Sequence, residues 1–192
     1  MKIAITGGIG SGKSYVCKLL QQRGIAVYDS DARAKRLMSS SAVIQQQLSN
    51  LVGKNIFVKG ILQKAVLTRY LLSDSQHVKA INDIVHPVVA TDFISSDYDW
   101  IESAIFFDSG FDKRIKIDKV VCVTAPEQVR IYRIMGRDNI TEDKARAWIK
   151  RQLPECEILA RSNYNIINDG KKDLDKQITA ILASLQKDSK NI

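Results

Sequence analysis

The sequence predicts an α/β protein with a parallel sheet core flanked by helices and a helical insertion. Short apolar runs at 2–6, 25–28, 100–107 and 119–124 alternate with segments of helical period. The links between these runs are too long for hairpins, which leaves parallel pairing through crossovers. The 192 residues, 45% apolar and 26% charged, make an ordinary globular chain that can bury roughly 70% of its unfolded surface. Disorder, collagen and a disulfide-stapled miniprotein are excluded.

Lys2 to Thr6 reads as a strand that runs into Gly7-Gly8-Ile9-Gly10-Ser11-Gly12-Lys13-Ser14, after which Val16, Leu19 and Leu20 mark a helix ending near Arg23-Gly24. Residues 25–28 form a second strand, then Asp29-Ser30-Asp31 leads into a short helix around Ala34, Leu37 and Met38. From Ser39 to about Ser96 the apolar period is helical, with a kink expected at Pro87. A strand from Trp100 to Phe107 is expected to end at Asp108, and another covers Lys119 to Thr124. Thr124-Ala125-Pro126-Glu127 has the spacing of a capped helix start, and that helix should reach Met135-Gly136. A helix from Thr141 places Ala145, Trp148, Ile149 and Gln152 on one face until Pro154 stops it. Asn163 to Ile167 is the last strand, and Leu174, Ile178, Ile181, Leu182 and Leu185 line a closing amphipathic helix.

The three cysteines, Cys17, Cys122 and Cys156, have no C-x-x-C spacing and read as reduced thiols in a cytoplasmic protein. No stretch approaches the roughly 18 apolar residues of a membrane helix, and no signal-peptide core follows Met1. Lys plus Arg less Asp plus Glu is 29 − 21 = +8, which suits nucleic acid or a small substrate with several phosphates. The basic residues are spread along the chain without a dense run or interleaved aromatics, which argues against nucleic acid.

Gly7-x-x-x-x-Gly12-Lys13-Ser14 satisfies the phosphate-loop pattern and lies between a strand and a helix, where the mechanism needs it. The glycines let successive N–H groups face the phosphates, and the helix N-terminus adds partial positive charge. Residues Gly8, Ile9, Gly10, Ser11, Gly12, Lys13, Ser14 and Tyr15 are the expected nucleotide contacts, with Lys13 at the β and γ phosphates and Ser14 on Mg²⁺. The bland alternative is a chance glycine-rich turn. The D-x-x-G and N-K-x-D segments of GTP switches occur nowhere, which favours an ATP-using kinase or ATPase.

Asp29 and Asp31 follow the second strand at its carboxyl end, where open parallel sheets bind ligands. A carboxylate there can accept a hydroxyl proton, although Asp31 would equally serve as a helix cap. Asp108 is expected either to hold Mg²⁺, directly or through water, or to be a polar turn residue. Arg130, Arg133 and Arg137 share one helical face, which is either solvated or used to neutralise charge during phosphoryl transfer. His86, before Pro87, reads as a packed residue that can contact substrate.

The order and spacing of these pieces resemble the dephospho-coenzyme A kinase family over nearly the whole chain. The residues that carry the resemblance are Thr6 to Ser14, Asp29-Ser30-Asp31-x-x-Ala34-Lys35, Val85-His86-Pro87, Arg133-x-x-x-Arg137-Asp138 and Asn168-Asp169-Gly170. It implies a P-loop NTPase core (1–38, 97–125, 162–192), a helical CoA-binding insertion (39–96) and a small helical lid (126–161). It also implies Asp31 as the general base, Arg137 as the lid arginine, Asn168 at the nucleotide, and Asp29, Lys35, His86 and Asp108 at the acceptor substrate. Ala104, Tyr15 and Ile167 depart from the family pattern, which has proline, threonine and an acid at those places.

The expected reaction is ATP + 3′-dephospho-CoA → ADP + CoA, with ATP and Mg²⁺ required. The expected partners are these small molecules only, without nucleic acid or membrane, in a monomer or weak homo-oligomer. A kinase of nucleosides or nucleotides would share the loop and sheet, and a nucleic-acid-binding ATPase would share the charge.

Overall fold

The computed structural model describes residues 1–190 apart from 59 and 75. Its elements run β1 (Ile3–Thr6), α1 (Lys13–Gln22), β2 (Val27–Asp29), α2 (Ser30–Ser40), α3 (Ala42–Val52), β3 (Phe57–Val58), β4 (Ile61–Leu62), α4 (Lys64–Ser73), α5 (Gln76–Ile94), β5 (Trp100–Glu102), α6 (Phe111–Arg114), β6 (Lys119–Thr124), α7 (Glu127–Asp138), α8 (Glu142–Lys150), α9 (Glu155–Ala160), β7 (Tyr164–Ile167) and α10 (Leu174–Lys190). One sheet has the order β2-β5-β1-β6-β7, and β1 pairs in parallel with both β5 and β6. All four residues of β1 are buried, as the unbroken run Ile-Ala-Ile-Thr requires of a strand covered on both faces. With β2 and β5 on one flank of β1 and β6 and β7 on the other, its carboxyl end is the switch point where such sheets bind ligands.

The chain divides into two compact units, Met1–Tyr28 with Tyr98–Ile192, and Asp29–Asp97. In the first, Val16, Cys17 and Leu20 of α1 and Ile178 and Leu185 of α10 pack with Ile3, Ile5, Val121, Val123 and Ile166 of the strands. Each buried side chain of this size contributes about 1.5–3 kcal/mol of transfer free energy. In the second, α2, α3 and α4 pack on α5, which runs unbroken from Gln76 to Ile94 through Pro87.

Several local expectations changed. The second unit begins at Asp29, ahead of the expected insertion boundary at 39, because α2 packs on α5 and α3. Phe57–Val58 and Ile61–Leu62 pair as antiparallel strands within a segment whose apolar period reads as helical. Strand β5 stops at Glu102, not Phe107: after Ser103 N donates to Ile5 O the chain turns away, closing bonds such as Ser109 N to Ile105 O and Phe111 N to Phe106 O. The apolar run continues because Phe106 and Phe111 are buried and stacked at 6.5 Å between centroids. Thr124 does not cap α7; the helix starts after Pro126, and the Thr124 hydroxyl donates to Asn165 Oδ1.

Candidate active site

The loop from Gly7 to Gly12 leaves the buried end of β1 and delivers Lys13 to the start of α1. Gly12 sits at φ +90°, and a Cβ there would lie 2.1 Å from Asn168 Nδ2. A Cβ on Gly8 would lie 2.2 Å from Arg130 Nη2, so the guanidinium rests against bare backbone. The glycines therefore serve a close approach by side chains from elsewhere in the chain as well as the turn itself.

Every carbonyl from Gly7 to Ser11 accepts a hydrogen bond from a side chain. Lys13 Nζ donates to Gly7 O at 2.8 Å and Gly8 O at 3.3 Å, Arg130 Nε to Ile9 O at 2.9 Å, and Arg133 Nη1 to Gly10 O and Ser11 O at 3.3 Å each. Asn168 Nδ2 donates to Ser11 O at 2.9 Å, while Asn168 Oδ1 accepts from Arg133 Nη2 at 3.3 Å. A trans peptide directs its N–H opposite to its C=O. Holding the Ile9 and Ser11 carbonyls thus turns the Gly10 and Gly12 N–H groups away from the side chains that hold them, and the N-terminus of α1 adds partial positive charge. Three cations converge on this short loop.

Glu155 is an acid beside them, its Oε2 3.4 Å from Arg130 Nη1. Burial pushes its carboxyl above the usual range, against the opposing pull of the Arg130 charge and the Ala125 N–H. Beneath the loop, burial pushes the Cys122 thiol up to about 12, so it stays protonated and inert.

The structure thus brings Lys13, Asn168 and the loop together, with Ser14 and Tyr15 exposed on the first turn of α1. Arg137 is apart from them, 60% exposed and paired with Asp138 at 2.7 Å. Asp108 lies in the turn region after β5, where its Oδ2 accepts the Leu153 N–H at 3.3 Å. Its carboxyl is raised by burial, opposed by that bond and by Arg161. In the second unit Asp29 caps α2, its Oδ1 accepting the Ala32 N–H at 2.9 Å. Asp31 and Lys35 are exposed one helical turn apart on α2, and His86 is buried on α5.

Sequence reasoning left Arg130 and Arg133 as a shared basic face and Gln152 as a member of an apolar one. All three contact the loop, since Gln152 Oε1 accepts the Ile9 N–H at 2.7 Å. The available signal was a lone amide on the face of Ala145, Trp148 and Ile149, where a polar group needs a partner.

The family model for dephospho-CoA kinase matches residues 1–173. A dephospho-CoA kinase from Bacteroides fragilis is 40% identical, covering 96% of this chain and 93% of that relative. The crystal structure of TT1252 from Thermus thermophilus superposes with a TM-score of 0.79 at 31% identity, covering 96% of this chain and 97% of that one. A dephospho-CoA kinase from Campylobacter jejuni, 21% identical, shares the fold at a TM-score of 0.65 over 100% of this chain and 99% of that one. With a phosphate loop built to these dimensions and likeness across nearly its full length, the chain belongs to the dephospho-CoA kinase family.

Proposed function

We propose that this protein transfers the γ-phosphoryl group of ATP to the 3′-hydroxyl of dephospho-CoA, the last step in making coenzyme A. The observation that carries this reading is the family match over residues 1–173, on a chain whose loop carbonyls are all held by side chains. The Asp31 carboxylate takes the hydroxyl proton, the freed oxygen attacks the γ-phosphorus, and the bond to the bridging β–γ oxygen breaks to release ADP. Lys13 holds the β and γ phosphates, and Asn168 and Arg133 keep the loop open to them. Asp29, Lys35, His86 and Asp108 belong to the acceptor's side of the reaction.

The residues present fit Mg²⁺. Among the described residues no three His, Cys, Asp or Glu side chains gather to cage a metal, while the Ser14 hydroxyl is an exposed hard oxygen beside the loop. That set suits an ion held mostly by phosphates and water, with Ser14 as its protein ligand. When bound, Mg²⁺ neutralises charge on the β and γ oxygens. Among the described residues no helix is long and apolar enough to cross a membrane. The cysteines are free, Cys156 on the surface, which supports a reducing cytoplasm.

Release of ADP measured with dephospho-CoA, adenosine, AMP or no acceptor tests the assignment. Turnover is expected with dephospho-CoA alone; equal turnover with AMP or adenosine would assign the protein to nucleotide or nucleoside kinases instead.

Residues 126–161 act as the lid, with Arg137 entering on closure. Its surface ion pair with Asp138 is a weak restraint, worth about 0–1 kcal/mol. Ile131, Ile134 and Ala145 form a buried cluster between α7 and α8 on which Met135 and Ile140 also pack, so the movement expected on closure is confined to the stretch between those two contacts, which holds Gly136, Arg137 and the left-handed Asn139 (φ 50°). Arg137→Ala is expected to lower kcat with little change in KM, by up to about 10³-fold, the lower end for arginines in this role. Amide exchange over 136–141 should slow only when ATP and a dephospho-CoA analogue are both present. A mild phenotype with unchanged exchange would leave Arg137 as solvated surface.

A further inference from the structure

Ile9, at the apex of the loop, is held at both of its main-chain polar groups. Its carbonyl accepts from Arg130 Nε at 2.9 Å and its N–H donates to Gln152 Oε1 at 2.7 Å. The two side chains come from α7 and from the turn after α8. Between them the Ile9 side chain packs on the cluster of Ile131, Ile134 and Ala145, with Trp148 and Ile149 alongside. Arg130 is itself fixed: it is 6% exposed, it pairs with Glu155, and its guanidinium fills the space a side chain on Gly8 would need.

We propose that Arg130 and Gln152 are positioning residues that brace Ile9 from both sides, presetting the phosphate loop and tying it to the base of the α7–α8 pair. The inference rests on the reading of this loop as the phosphate site for ATP. A loop with glycines at 7, 8, 10 and 12 samples many conformations, and ordering it on binding costs affinity. Two bonds at its apex remove that freedom in advance. The brace touches no reacting atom and acts equally before and during phosphoryl transfer, so its loss should raise KM for ATP and leave kcat nearly unchanged.

Gln152 is half-buried and lies outside α8, so its replacement leaves the helix and the core intact. Gln152→Met keeps the length and removes the acceptor; Gln152→Glu keeps an acceptor. In Gln152→Met the Ile9 amide should exchange at least about tenfold faster, and the Kd and KM for ATP should rise about threefold to tenfold, the value of one hydrogen bond. The Val121 and Val123 amides should not change. Gln152→Glu should restore slow exchange at Ile9. Adding Arg130→Met to Gln152→Met should cost little more than the worse single variant, because both bonds act on one residue. Unchanged Ile9 exchange and ATP affinity in Gln152→Met would overturn the proposal. So would equal damage in Gln152→Met and Gln152→Glu, or core amides accelerating in step with Ile9. Wild-type protein that fails to bind ATP in the same titration would instead defeat the functional reading beneath it.

Discussion

Lys13→Ala should lower kcat by about 10²- to 10³-fold or more, the cost of removing a preorganised charge from developing charge on the transferred group. The same change has a structural cost. Lys13 is 7% exposed, and its Nζ serves both Gly7 O and Gly8 O. Each lost bond is worth about 0.5–1.5 kcal/mol. A fall in Tm of a few degrees should therefore accompany the kinetic loss, and circular dichroism of the variant separates the two. Near-normal turnover in folded Lys13→Ala would remove the phosphate-loop assignment.

Asp31→Asn is expected to lower kcat by about 10²- to 10⁴-fold while ATP binding persists, since the amide cannot take the acceptor's proton. The structure sharpens this test through its neighbour. Asp29, not Asp31, caps α2, so the competing explanation for an Asp in this loop is already assigned to position 29. Asparagine caps about as well as aspartate, so Asp29→Asn should keep the helix and be the milder change. Should Asp29→Asn prove the more damaging in kcat, the roles of the two acids are reversed.

The loop was legible because its chemistry is local: glycines, lysine and serine at fixed spacing between a strand and a helix state their purpose within eight residues. What holds the loop was not legible. Arg130, Arg133, Gln152 and Asn168 lie more than a hundred positions away, and nothing in a basic helix face says which of its members reach a backbone carbonyl. Strand β5 was overextended because an apolar run reports burial and not conformation; Phe106 and Phe111 are buried in turns and a short helix. Asp108 consequently lies beyond the strand end, and Glu102 takes that place. Thr124 had the spacing of a cap, yet Asn165 on the neighbouring strand offered its hydroxyl another partner.

The destination of the transferred phosphate is the most direct test of this function. In ³¹P and ¹H NMR of the reaction of ATP with dephospho-CoA, one new phosphomonoester should appear on the ribose 3′ carbon for each ADP formed. Inorganic phosphate accumulating without that ester, or a phosphate placed at another position, would contradict the assignment.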